Sequence, residues 1–170
     1  DALAKLPPGL SWRCVHVGGG ELLKPLKEKA KALGIDTRID WLGSQAQEDV
    51  LARYRSSDLF VLACRIADDG DRDGLPNVLV EASSQALLCI STRVSGVTEL
   101  LENYVTGLVV EPDDPDALAK ELLRAITQPE LRRRLGVAAE ALVRNRFDHH
   151  ASVGELVRLL EASLSAEARP

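Results

Sequence analysis

Between residue 12 and about residue 127, short apolar, β-branched runs alternate with longer amphipathic stretches. That alternation restricts the fold more than any other feature of the chain. The runs WRCVHV (12–17), RIDWLG (38–43), DLFVLAC (58–64), LLCIST (87–92) and GLVVE (107–111) read as strands. GELLKPLKEKAKALG (20–34) reads as a helix closed by a glycine C-cap. Ser44 and Gln47 have the spacing of a capping box for a second helix, ending near Arg55. Pro76 suits a first helical turn, where its missing N–H is not needed, so 76–87 is expected to be helical. GVTELLE (96–102) reads as a short helix. Asp114 and Pro115 supply the cap and first position of another, with Leu118, Leu122 and Ile126 on one face.

Strands joined through helices need right-handed crossovers, which make a parallel sheet covered on both faces. The expected class is α/β, a Rossmann-like parallel sheet flanked by helices over about 12–127 with a helical tail over 128–170. Leu131, Leu135 and Leu142 form one apolar stripe of that tail. Val153, Leu156, Val157, Leu160 and Leu164 form another, behind a Ser152–Glu155 capping box. With 170 residues, 45% of them apolar, the whole length is expected to be one domain with its own core.

A net charge of −5 argues against a nucleic-acid or anionic-membrane surface. The run Arg132-Arg133-Arg134 lies on a helical pattern and is expected to be a solvated face. No apolar run approaches the roughly 18 residues of a membrane span. Cys14, Cys64 and Cys89 lack C-x-x-C spacing, and His16, His149 and His150 show no ligand spacing with them. Buried thiols in a reducing compartment, and no metal, are the expectation. The opening DALAKLPPGL reads as the tail of a helix, and the chain contains no Met. A segment of a longer protein is expected.

Residues 69–82, DGDRDGLPNVLVEA, carry the chemistry that stands out. Asp69, Asp71 and Asp73 open like a calcium loop, but Glu81 stands one place late for the bidentate ligand, and Pro76 and Val78 occupy oxygen positions. The calcium reading fails. In open α/β sheets, ligands sit beyond the carboxyl ends of the strands, where three loops fall here. Gly18-Gly19-Gly20 follows the first strand and allows close backbone approach, although Leu23 breaks the dinucleotide fingerprint. The 63–76 loop leads into a helix whose Asn77 and Val78 N–H groups favour an anion. Ser95-Gly96-Val97-Thr98-Glu99 again places a glycine before a helix start. Two helix starts at one crevice suggest a phosphate-bearing ligand, with Asp73 and Glu81 as acceptors for sugar hydroxyls on either side. Spacing alone leaves open the plainer reading of a dipole-favouring acid and a single charged position on an amphipathic helix.

Several ordered motifs carry a resemblance. Asp73 to Glu81 reads D-x7-E, SGVTE (95–99) follows, SSDLFVLAC precedes and VTGLVVEPDDPDALAKEL comes after. Together they resemble the C-terminal domain of the GT-B fold retaining glycosyltransferases of family 4, over most of residues 12–147 and closest to the exopolysaccharide-building branch. The resemblance implies a domain that holds a nucleotide-sugar donor, a UDP-sugar or GDP-sugar, and uses no metal or other cofactor. It implies Glu81 on the ribose diol and Asp73 on the hydroxyls of the transferred sugar as the catalytic pair. Gly18, Gly19, Gly20, Arg65, Gly74, Leu75, Asn77, Val78, Gly96, Val97, Thr98 and Glu99 would surround the diphosphate and sugar, with Arg38 and Ile39 beside the base. A hexosyl group would pass to a glycan or glycolipid acceptor held by an N-terminal domain that this chain lacks. The implied location is cytoplasmic, or peripheral at the inner membrane for the full-length protein. The last helix would cover its own sheet or form a homodimer.

Three departures stand beside the resemblance. The first acid is Asp where the family has Glu. Gln85-Ala86-Leu87-Leu88 stands where the family has A-x-G-x-P, so the glycine and proline are both lost. The family's first strand and its donor-phosphate Arg and Lys would precede Asp1. The 65–73 loop sets Arg65 and Arg72 against Asp68, Asp69, Asp71 and Asp73, which repels a diphosphate, so the isolated chain is expected to bind donor weakly and transfer nothing. The alternatives are a non-catalytic Rossmann-like module binding a nucleotide or a protein, and a nucleotide-sugar 2-epimerase of the same overall fold.

Overall fold

Among the described residues five strands form where the β-branched runs lie, and every pairing between them is parallel. The computed structural model describes residues 1–66, 74–94, 96–147, 153–154 and 157–159. Among these, β1 (Cys14–Val17) pairs with β2 (Ile39–Gly43), while β3 (Leu59–Leu62), β4 (Leu88–Thr92) and β5 (Leu108–Val110) pair in that order. The expected α/β class, parallel strands flanked by helices, holds, with the described strands in two sheets rather than one. The chain changes sheet between β2 and β3, and among the described residues β1, β2, β3 and β5 each keep one edge unpaired. β4 is buried along its whole length, as a strand covered on both faces must be. In β1, by contrast, burial alternates, and Val15 and Val17 remain exposed.

The helices are α1 (Leu23–Ala32), α2 (Gln47–Ser56), α3 (Asn77–Ser84), α4 (Pro115–Thr127) and α5 (Pro129–Arg146). They divide the larger sheet's surroundings into two cores according to the period-two alternation of β4. Cys89 faces a cluster with Tyr54, Leu79, Ala82 and Val143, built from α2, α3 and α5. Leu88 and Ile90 face the other, with Leu108, Leu122 and Leu135, where α4 and the N-terminal 3-10 turn (Ala2–Lys5) pack. Each fully buried leucine there contributes roughly 1.5–3 kcal/mol of transfer free energy.

The helix ends show which local signals prevailed. Asp114 caps α4 as expected, accepting from the Ala117 N–H at 2.8 Å. The Ser44–Gln47 box does not form: Ala46 is the N-cap of α2 and no side chain caps it. Pro76 is the N-cap of α3 rather than its first helical residue. The expected helix over 96–102 shrinks to a 3-10 turn, Val97–Glu99. Thr106 stops it, since its hydroxyl donates to Leu100 O and accepts from the Glu102 N–H, each at 2.8 Å. Those are the groups a longer helix would need.

The arginine run is not uniformly solvated. Arg133 is exposed and pairs with Glu130 one turn earlier. Arg132 is mostly covered: it donates to the last carbonyls of α4, at 2.8 Å to Ala125 O and 2.9 Å to Ile126 O. Unpaired carbonyls at a helix C-terminus attract a cation, which accounts for the difference. Of the final helix, Val153, Gly154 and Val157 to Leu159 are helical, with Val153 and Val157 exposed. Ser152, Glu155, Leu156, Leu160 and Leu164 lie outside the described residues.

Candidate functional site

The carboxyl ends of the strands gather four connecting segments, and contacts between them can be followed from one sheet to the other. The Gly18 N–H donates to Gly43 O at 2.8 Å, which ties the glycine loop after β1 to the end of β2. Gly18 and Gly20 have φ of 130° and 117°, where a side chain would be strained. A Cβ on Gly19 would lie 3.7 Å from Ser44 Oγ. From Ser44 the chain enters α2, whose first residue, Gln47, donates from Nε2 to Glu81 Oε1 at 3.2 Å. Glu81 belongs to α3, and α3 starts from a segment pressed against the loop after β4. A Cβ on Gly96 would stand 2.0 Å from the Gly74 carbonyl carbon and 2.3 Å from Leu75 N. Only glycine allows the two backbones to meet there.

Glu81 is half-buried and both of its carboxylate oxygens have partners. Besides Gln47 on Oε1, the Tyr54 hydroxyl lies 3.5 Å from Oε2. Tyr54 is 7% exposed, and its ring meets Phe60 edge-on at 5.5 Å between centroids. Burial, followed by the nearby Glu81 charge, pushes its phenol up to about 12. The hydroxyl is therefore protonated at neutral pH and able to donate. At the far end of the same two helices, Arg55 Nε donates to Gln85 Oε1 at 2.8 Å. The second half of α3 is thus tied by side chains to both ends of α2.

Asn77 and Val78 stand exposed on the first turn of α3. Gly74, Gly96 and the turn carrying Thr98 and Glu99 lie beside that start, with Thr98 and Glu99 exposed. Val97, expected beside the diphosphate, is fully buried and its N–H donates to Val94 O at 3.1 Å, so it faces the core rather than a ligand. The second expected helix start is a single 3-10 turn, so of the two starts expected to share this crevice only that of α3 opens a helix. Leu75 is half-buried against the core, and Arg65 is exposed past the end of β3. Asp73, with Asp68, Asp69, Asp71, Arg72 and Ser95, lies outside the described residues.

Arg38 and Ile39 are not brought to this edge. Ile39 pairs with Cys14 at the amino ends of β2 and β1, while Gly43 and Gly18 mark the carboxyl ends. Four residues of strand separate them by roughly 13 Å. Arg38 instead stacks on Trp12, 3.9 Å from its guanidinium carbon to the ring centroid, and donates to the Trp12 and Leu10 carbonyls. It fastens the segment before β1 to the start of β2. Ile39 lines a cavity of about 200 Å³ with Cys14, His16, Leu26 and Trp41. Sequence reasoning passed over Gln47 and Tyr54 as site residues. The available signal was position: Gln47 follows the end of β2 by four residues, on the edge where ligands collect.

Residues 1–142 match the family described as glycosyl transferases group 1. The amylovoran biosynthesis glycosyltransferase AmsK of Erwinia amylovora is 31% identical over 145 residues, which cover 85% of this chain and 36% of that protein. A GDP-mannose-dependent α-(1-6)-phosphatidylinositol monomannoside mannosyltransferase of Mycolicibacterium smegmatis is 27% identical over 151 residues, 88% of this chain and 40% of the relative. Among solved structures, Anabaena Alr3699/HepE in complex with UDP-glucose superposes with a TM-score of 0.83 at 25% identity, covering 95% of this chain and 43% of its own. The chain spans well under half the length of these curated relatives.

Proposed function

The chain belongs to the group 1 glycosyl transferases, and from that premise we propose that it is the nucleotide-sugar-binding half of a retaining, family 4 hexosyltransferase. The observation that carries the proposal is Glu81, half-buried at the carboxyl edge of the sheets, with Gln47 donating to Oε1 at 3.2 Å, the Tyr54 hydroxyl 3.5 Å from Oε2, and one turn of α3 between it and the exposed Asn77 and Val78. A carboxylate beside a helix N-terminus suits a ligand with a diol at one end and a diphosphate next to it. Glu81 takes the ribose diol, and the N–H groups of Asn77 and Val78 receive the diphosphate, with the glycine loop after β1 and the turn after Gly96 alongside. Asp73 takes the hydroxyls of the transferred sugar. The reaction breaks the bond from the anomeric carbon to the diphosphate oxygen and forms one to an acceptor hydroxyl of a glycan or glycolipid, keeping the anomeric configuration. The acceptor sits on a further domain. HepE, with the same fold, has been crystallised with UDP-glucose.

Electrostatics limits what this segment does alone. Residues 65–73 carry two arginines against four aspartates, and a diphosphate adds more negative charge. A helix N-terminus contributes only about 0.3–1 kcal/mol per exposed charge, too little to offset the repulsion. The cations that balance the donor belong to another part of the protein, so this chain binds donor weakly and has no transferase activity by itself.

Titration with UDP, GDP and their common sugars, followed by NMR and thermal shift, tests the proposal. Shifts centred on Asp73, Asn77, Glu81 and Glu99 that are lost in Glu81→Ala support it and name the base. Shifts confined to residues away from the strand ends would sink it, and micromolar affinity would sink the expected weakness of the isolated chain.

A further inference from the structure

Two residues outside the D-x7-E stretch converge on Glu81 from α2, and they do so by different physical means. Gln47 stands at the first position of α2, in the place where a capping box would have turned it back toward Ser44. Instead its amide reaches across 34 residues of sequence to Glu81 Oε1. Tyr54, two turns further along α2, has its ring locked in the core against Phe60 and its hydroxyl at Glu81 Oε2. An ionised carboxylate has roughly four lone-pair positions. Two are engaged from α2, and each oxygen keeps acceptor capacity for an incoming hydroxyl.

We infer that Gln47 and Tyr54 are positioning residues, which fix the Glu81 carboxylate by one oxygen each so that it meets a vicinal diol in a single orientation. The inference rests on the assignment of Glu81 to the ribose diol and extends it to selection of ribose over deoxyribose. A free glutamate on a helix surface samples several rotamers and meets two hydroxyls in few of them. A carboxylate with an amide donor at one oxygen and a fixed hydroxyl 3.5 Å from the other has given up part of that freedom before the ligand arrives, so less is lost on binding. The two donors differ in rigidity. Tyr54 is a buried, fixed post; Gln47 is exposed and closes over the carboxylate from the helix start. A site built to hydrogen-bond a hydroxyl rejects the analogue lacking it, because the carboxylate is then left underused.

The test compares UDP and GDP with their 2′-deoxy counterparts on the wild-type chain, Tyr54→Phe, Gln47→Ala and Glu81→Ala. Tyr54→Phe removes only the hydroxyl, so its melting temperature is expected to stay close to that of the wild type. Each positioning variant is expected to weaken the ribonucleotide by about three- to tenfold, with the 2′-deoxy nucleotide unchanged. An unaltered ribose-to-deoxyribose ratio in both variants, alongside a lost preference in Glu81→Ala, overturns the positioning role and leaves the diol assignment standing. A wild-type chain that binds neither diphosphate, or has no ribose preference, overturns both. A second readout needs no ligand. The chain has two tyrosines, so the ultraviolet titration of Tyr54 can be followed in a Tyr104→Phe background. Glu81→Gln is expected to bring the Tyr54 titration down toward the ordinary phenol range, and an unchanged curve overturns the contact itself.

Discussion

Gly96 lies so close to Gly74 that a Cβ on Gly96 would stand 2.1 Å from the Gly74 carbonyl oxygen. This contact joins the loop after β4 to the start of α3, and with it the two halves of the candidate phosphate site. Gly96→Ala cannot be accommodated by a side-chain shift, because the obstacle is backbone. We expect it to destabilise the chain by about 1–3 kcal/mol through the forced displacement. Urea denaturation measures the stability, and loss of nucleotide-induced NMR shifts at Asn77 would report the displaced α3 start.

Ala86 has φ of 56°, in the left-handed region, and occupies the place where the family motif has its glycine. A left-handed conformation costs an L-residue roughly 1–2 kcal/mol, and glycine gives back about 0.5–1 of that in unfolded-state entropy. Ala86→Gly is therefore expected to stabilise the chain by about 0.5–1 kcal/mol. A lowered urea midpoint would refute it.

Alkaline titration should reveal the buried acids. The Cys89 thiol is pushed from 9.0 up to about 12 by burial, and the Tyr54 phenol from 10.0 to about 12. Both hold their protons longer in the folded chain than in the unfolded one. As pH rises through 9 to 12 the unfolded state releases these protons first, so stability falls across that window and is unaffected by them below it. Cys89→Ala should flatten the decline from its beginning, and Tyr54→Phe only from about one pH unit higher. Denaturation curves at successive pH values between neutrality and this range would check both.

Arg132 separates a helix-capping effect from an ion pair. Its guanidinium meets two α4 carbonyls and lies 3.2 Å from Asp58, whose side chain is 80% exposed. Arg132→Ala is expected to cost about 1–2 kcal/mol, through lost charge-assisted hydrogen bonds at the end of α4. Asp58→Ala should cost under about 0.5 kcal/mol, since the pair is open to solvent. Equal losses in the two variants would show that the ion pair, not the cap, carries the effect.

The order of strands and helices, the parallel sense of every pairing, the Asp114 cap and the carboxyl-edge loops were legible in the residues alone. All of these follow from hydrophobic period and from backbone preferences of Pro, Gly and Asp, which act over a few residues. Tertiary structure decided what those local rules leave open. It divided the strands between two sheets, because edge pairing depends on which strands meet in space. It stopped the 96–102 helix at one 3-10 turn through Thr106, and it drew Gln47 away from Ser44 to Glu81. It also turned Arg38 into a fastening for Trp12 at the amino end of β2, although that residue was expected beside a base. A side chain with several partners open to it bonds to the one that packing brings within reach, and that partner is often tens of residues away in the chain.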